Sequence, residues 1–322
     1  MKKVIILTTG GTIASEENSE THLLTSGKMA GEKLVSMCRF DEEIVVETKS
    51  VFQVPSNQMT WERLTVLREE VLKAFEDQTV NGIVVTHGTD TLEETAYFLD
   101  LTVSDDRPIV VTGSQKAPLD SATDAVANLS QAVLVAANWG TMGIGTLVVF
   151  NERIFTARYV EKIHSSNIAG FTSPGFGYLG TVDLNRVYYY QRPLCRRTYE
   201  PKGPFPLVDI VKFPMGMDGR LIRASADSGA QGIVIEGAGR GHIFPEGAEE
   251  VSNAIAQGLR IVLTSSCPEG LVAPVYDFKG GVHDLQKRGV ILGGDYSSKK
   301  ARIKLSVLMS AGVGDLQPEF VT

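Results

Sequence analysis

Two short segments combine hydroxyl side chains with glycines just where an apolar run stops. Thr8-Thr9-Gly10-Gly11-Thr12-Ile13-Ala14-Ser15 follows Val4-Ile5-Ile6-Leu7, and His87-Gly88-Thr89-Asp90-Thr91 follows Gly82-Ile83-Val84-Val85-Thr86. Runs of β-branched residues of this length read as buried strands. Polar groups at the carboxyl end of such a strand lie where open α/β sheets bind ligands. A threonine after two glycines, with backbone N–H groups able to face a cleft, suits a hydroxyl nucleophile beside an oxyanion site. Both segments also allow a plain structural reading. Thr12 can cap a helix, and Thr89-Asp90 can be the N-cap and first-turn acid of a helix whose first turn also holds Glu93 and Glu94.

The elements around these segments alternate. Residues 44–51 read as a strand. Residues 60–75 read as a helix, with Trp61, Leu64, Leu67, Val71, Leu72 and Phe75 on the apolar stripe and Thr60 as N-cap. Strands over 82–86, 108–112 and 145–150 alternate with helices over 92–101 and 122–137. Such alternation implies crossover connections and a mainly parallel sheet. Four prolines, Pro193, Pro201, Pro204 and Pro206, and several charges then mark a linker. Beyond it, strands over 208–213, 232–236 and 259–264 and helices near 221–226, 246–256 and 299–310 form a second unit. The expected fold is α/β: a larger N-terminal catalytic domain (1–191) with a mainly parallel sheet flanked by helices, a linker (192–207) and a smaller C-terminal α/β domain (208–322).

Composition narrows the function. With 322 residues, 43% hydrophobic and 21% charged, the chain has the balance of a soluble globular protein and room for two domains. A net charge of −7 disfavours nucleic acid as a partner. The basic cluster Arg192, Arg196, Arg197 and Lys202 is broken by prolines and reads as a solvated linker. No apolar run approaches the ~20 residues of a membrane span. Cys38, Cys195 and Cys267 are far apart and lack CxxC spacing, which suggests reduced thiols. The apolar stretch after Met1-Lys2-Lys3 is too short for a signal peptide, so the expected location is cytoplasmic. The Gly10-Gly11 turn lacks both G-x-G-x-x-G and a P-loop lysine, which argues against nucleotide. His22, His164 and His283 have no ligand spacing, so no metal is expected.

The segments 9–15 and 86–96, about 77 residues apart, closely resemble the two signature segments of the bacterial-type L-asparaginase/glutaminase family. Thr112-Gly113-Ser114-Gln115 resembles that family's third active-site loop, Arg158-Tyr159-Val160-Glu161-Lys162 its lysine-bearing segment, and 300–305 its C-terminal helix. The resemblance spans essentially the whole chain. It implies hydrolysis of L-asparagine to L-aspartate and ammonia through an acyl-enzyme, without cofactor or metal. Carried over by position, Thr12 is the nucleophile, and Thr89, Asp90 and Lys162 form the polar relay. Ser56 and Asp90 hold the substrate's α-carboxylate and α-ammonium. Gly11, Asn57, Gly88 and Ser114 complete the implied substrate-binding set. A lysine is a base only when neutral, which a neighbouring aspartate opposes, so Lys162 as base and Lys162 as fixed cation both stay open.

The chain departs from the family in three places. There is no tyrosine between residues 13 and 30, where relatives carry a lid tyrosine that helps activate the nucleophile; the polar stretch 16–21 still suits a closing loop. Gly239-Arg240-Gly241-His242 replaces a loop in which relatives have asparagines, and His242 fits a substrate contact or a structural role equally. Tyr276 or Asp277 stands where glutaminase-active relatives have a glutamate, which predicts a preference for asparagine over glutamine. His87 reads as a structural ring at the strand end rather than a base. The family implies a homodimer or homotetramer. The alternatives are a broader glutaminase-asparaginase, an ammonia-supplying subunit and a non-catalytic amino-acid sensor. The subunit reading is disfavoured because the first motif, starting at Thr8, leaves no room for the extra N-terminal module such subunits carry.

Overall fold

The computed structural model describes residues 1–194 and 196–321 in two compact units, Met1–Thr198 and Tyr199–Thr322. Cys195 lies outside the described residues.

The first unit is built on β1 (Lys2–Gly10), which leads through a 3-10 turn at Thr12–Ala14 into a small hairpin of β2 (Glu16–Glu17) and β3 (Leu24–Thr25), then α1 (Gly31–Ser36) and β4 (Ile44–Val54). A 3-10 turn at Ser56–Gln58 precedes α2 (Trp61–Glu76). There follow β5 (Val80–Thr86), α3 (Leu92–Thr102), β6 (Ile109–Thr112), α4 (Ala125–Ala136), β7 (Thr146–Phe150) and β8 (Arg153–Thr156). Four short strands close the unit: β9 (Glu161–Lys162), β10 (Phe171–Thr172), β11 (Gly180–Asp183) and β12 (Arg186–Tyr189).

Eight of these strands form one sheet in the order β12-β11-β8-β7-β6-β5-β1-β4. From β4 to β7 every neighbour is parallel, and β8, β11 and β12 add antiparallel strands at the far side. Burial follows from position. The central β6 and β7 are buried at every residue, and edge strand β4 alternates between half-buried and exposed positions. α2 buries Leu64, Leu67, Val71 and Phe75 at helical spacing, and its Thr60 hydroxyl caps the helix by accepting from the Arg63 N–H. One core cluster joins Val4, Ile6, Val84 and Val110 of the strands to Leu129, Ala132, Val133 and Ala136 of α4.

The second unit has β13 (Val208–Lys212), α5 (Arg220–Asp227), β14 (Gly232–Gly237), α6 (Gly247–Ala256), β15 (Arg260–Ser265), α7 (Val282–Lys287), β16 (Ile291–Leu292) and α8 (Ser298–Ser310). Its four strands lie parallel in chain order around a core of Ile233, Ile235, Ile261, Leu263, Val251 and Leu285. Among the described residues no helix is long and apolar enough to cross a membrane.

The linker reading needs one correction. Arg196 is not solvated. Its guanidinium pairs with the Asp100 carboxylate at 3.0 Å and donates to the carbonyls of Asp100, Val103 and Asp105. The carbonyls of Asp100 and Val103 lie at the carboxyl end of α3, where a cation is favoured by both the helix dipole and the unsatisfied acceptors, and that of Asp105 lies in the loop just beyond.

Candidate active site

Parallel pairing of β1 with β4 and β5, and of β5 with β6, brings four strand ends to one edge of the sheet. Thr8 pairs with Thr86, and Thr86 with Thr112. Two hydrogen bonds extend this register into the loops: Thr9 Oγ1 donates to the Thr86 carbonyl at 2.9 Å, and the His87 N–H to the Thr112 carbonyl at 2.8 Å. The loop after β4 is drawn in by Thr91, whose hydroxyl donates to the Ser56 carbonyl at 2.8 Å.

Glycine is required where the first two loops meet. Gly11 has φ of 82°, and a Cβ there would fall 2.3 Å from both the Cα and the nitrogen of Gly88. A Cβ on Gly88 would in turn lie 2.7 Å from Ser56 Oγ. The two signature segments therefore meet backbone to backbone, with buried Ser56 beside them. Thr12 is half-buried and opens the 3-10 turn behind Gly11, so it is not the N-cap of a helix.

The second segment also departs from the cap reading. The N-cap of α3 is Thr91, and its side chain is turned to Ser56 instead of the helix. Buried Thr89 accepts a hydrogen bond from Lys162 Nζ at 2.8 Å, and the same ammonium contacts Asp90 Oδ1 at 2.7 Å. The side chain of Lys162 is 13% exposed and that of Asp90 69%, so the cation is enclosed and the carboxylate is open to a ligand. Lys162 is thus no solvated surface lysine. Its Nζ is held between the Thr89 hydroxyl and the Asp90 carboxylate.

Several supporting residues were not legible in the sequence. Glu93 is not simply a dipole-matching acid: its buried carboxylate accepts the backbone N–H of Lys162 at 2.5 Å. Asp124 is buried and accepts from the N–H groups of Gln115 and Lys116 and from Asn128 Nδ2, all within 3.1 Å. This carboxylate folds the third loop. In that loop Ser114 is fully buried and its hydroxyl donates to the Lys116 carbonyl at 2.7 Å, while Asn57 is exposed beside Ser56. An acid at the start of a helix, as Asp124 is at the N-cap of α4, gives only a cap signal in sequence.

His87 has a structural role. Its Nδ1 contacts the Gly88 carbonyl at 2.7 Å, so it carries the proton, and Nε2 accepts from Thr95 Oγ1 at 3.0 Å. Complete burial pushes the imidazole down to about 4, so the ring is neutral. In place of a lid tyrosine the structure has the β2–β3 hairpin, with Leu23 and Leu24 exposed and Glu17 paired to His22. In the second unit His242 forms an aromatic cluster with Tyr276 and Phe278, at 5.4 and 5.0 Å between centroids. Burial, then the charge of Arg240, lowers its pKa. Among the described residues no group of three His, Cys, Asp or Glu is placed to hold a metal ion.

Residues 3–195 match the family Asparaginase, N-terminal, and residues 207–317 match the Glutaminase/Asparaginase C-terminal domain. The chain is 49% identical to an L-asparaginase of Bacillus licheniformis over 99% of both chains. It is 32% identical to a glutaminase-asparaginase of Pseudomonas aeruginosa, covering 96% of this chain and 87% of that one. A crystal structure described as a probable cytoplasmic L-asparaginase from Campylobacter jejuni superposes with a TM-score of 0.89 at 29% identity, over 99% of both chains. With both domain families matched in order along nearly its whole length, this chain belongs to the asparaginase family.

Proposed function

We propose that the protein hydrolyses L-asparagine to L-aspartate and ammonia at the sheet edge where Gly11 meets Gly88. The observation that carries this reading is the Lys162 ammonium held between the Thr89 hydroxyl and the open Asp90 carboxylate. Asp90 takes the substrate's α-ammonium, and Ser56 its α-carboxylate. Thr12 Oγ attacks the side-chain amide carbon, and backbone N–H groups beyond Gly11, whose own N–H donates to the Val54 carbonyl, face the developing oxyanion. The amide C–N bond breaks, and the proton lost by the Thr12 hydroxyl leaves with the nitrogen as ammonia. A water molecule then splits the resulting ester, regenerating the hydroxyl and releasing aspartate. Thr89, backed by Lys162, steadies the charge that moves in both steps.

Several finer assignments belong to the same reading. Tyr276 in place of an acid favours asparagine over glutamine. A difference of one methylene discriminates by only ~1–3 kcal/mol in a simple pocket. The glutaminase-asparaginase relative from Pseudomonas aeruginosa keeps the broader activity as the second reading, decided by the ratio of kcat/KM for the two amides. A homodimer or homotetramer in the cytoplasm, binding a small amino acid and no nucleic acid, completes the picture. The direct test is ammonia release from asparagine by the wild type and by Thr12→Val and Thr89→Val. Both variants should stay folded and lose at least about 100-fold in kcat. A near-normal rate in either removes that residue from its role.

A further inference from the structure

Gln115 reaches from the third loop to two parts of the site. Its Oε1 lies 3.5 Å from Thr89 Oγ1, and its Nε2 lies 3.4 Å from the carbonyl of His164, two residues beyond Lys162. Its backbone N–H is fixed by the buried Asp124 carboxylate. Gly170 makes room for the amide: a Cβ there would stand 2.5 Å from Nε2. The side chain is therefore held at its root, along its flank and at its tip.

The chemistry of the donors fixes which way this network runs. Only Nε2 can donate to the His164 carbonyl, so Oε1 must face Thr89 as an acceptor. A lysine ammonium can only donate, so Thr89 Oγ1 accepts from Lys162. A hydroxyl has one proton and two lone pairs. The Thr89 proton goes to Gln115, one lone pair goes to Lys162, and the second lone pair remains for a reactant.

We propose that Gln115 is a positioning residue that sets the polarity of the Thr89 hydroxyl. It holds the Thr89 proton away from the substrate, so Thr89 meets the attacking hydroxyl or water as a hydrogen-bond acceptor. The same amide couples Thr89 to the segment carrying Lys162. This rests on the relay role proposed above for Thr89.

The test compares Gln115→Met, which keeps the length and removes the acceptor, with Gln115→Glu, which keeps an acceptor toward Thr89. Gln115→Met should lower kcat for asparagine by about 10-fold with KM within about twofold of wild type, the pattern of an interaction that matters in the transition state. Gln115→Glu should recover most of that loss. Gln115→Ala, too small to clash, should show the same split as Gln115→Met. A full kcat in Gln115→Met, a rise in KM alone, or equal losses in the Met and Glu variants would overturn the proposal. Thr89→Val measured alongside separates the two ideas. If that variant is inactive while Gln115→Met is fully active, only the role of Gln115 falls. If Thr89→Val is itself active, the relay reading falls.

Discussion

The carboxylate of Glu93 accepts the backbone N–H of Lys162 at 2.5 Å, which ties the first turn of α3 to the short strand that carries the enclosed cation. The lysine is thus aimed by its main chain, and its Nζ meets Thr89 and Asp90 on the loop that starts the same helix. One loop and its helix hold the cation at both ends. Glu93→Leu should leave the Lys162 N–H without this acceptor. The expected cost is about 1–3 kcal/mol of stability, with kcat down by roughly 10-fold and KM little changed. Urea unfolding together with steady-state kinetics checks this, and a stable variant of normal kcat would contradict it.

Gly11→Ala tests the contact between the two signature segments. The new methyl would meet the Gly88 backbone at 2.3 Å from a φ of 82°. Backbone cannot yield as a side-chain tip can, so the loops must separate. A loss of about 2–3 kcal/mol and of most activity is expected. Serial denaturation and ammonia-release assays measure both, and a fully active Gly11→Ala enzyme is incompatible with such close approach.

Asp90→Ala addresses substrate binding. The carboxylate is largely open and pairs with one cation already in place. Its removal should raise KM at least about 10-fold and also lower kcat, because the substrate ammonium loses its partner and Lys162 loses its fixing contact. If KM stays unchanged, Asp90 does not hold the ammonium.

His87 predicts a pH dependence of stability. The buried imidazole titrates at about 4 in the folded protein against 6.5 ordinarily. Between those values the unfolded chain binds a proton that the folded one refuses. Stability is therefore complete above pH 6.5, falls as the pH drops toward 4, and loses nothing further from this group below that. The loss is on the order of 3 kcal/mol in total. His87→Gln should flatten the curve between pH 7 and pH 4.5 by roughly 2 kcal/mol. Equal slopes for the two proteins would assign the effect elsewhere.

Much of this architecture is written in local patterns. The buried strands β5, β6 and β7 are rich in β-branched residues, and Leu64, Leu67, Val71 and Phe75 form the expected helical stripe behind the Thr60 cap, while Leu72, read as part of that stripe, is exposed. The strands β8 to β12 were invisible because each is only two to four residues long and most are rich in polar or aromatic side chains. In the site, threonines beside glycines announce chemistry. The acids Glu93 and Asp124 do not, because their partners are backbone N–H groups, of Lys162 69 residues away in one case and of Gln115 and Lys116 across a turn in the other. Arg196 likewise looks like linker charge until the end of α3 supplies its carbonyls. A side chain whose role is to hold main chain leaves no pattern in one sequence.

The proposed hydrolysis requires two hydroxyl-bearing loops to converge on one carboxamide and Thr12 to be acylated. Rapid acid quenching of the enzyme during turnover of asparagine, followed by peptide mass spectrometry, tests it directly. An aspartyl group is expected on the peptide containing Thr12. An aspartyl group on the peptide containing Thr89, with Thr12 unmodified, would contradict it.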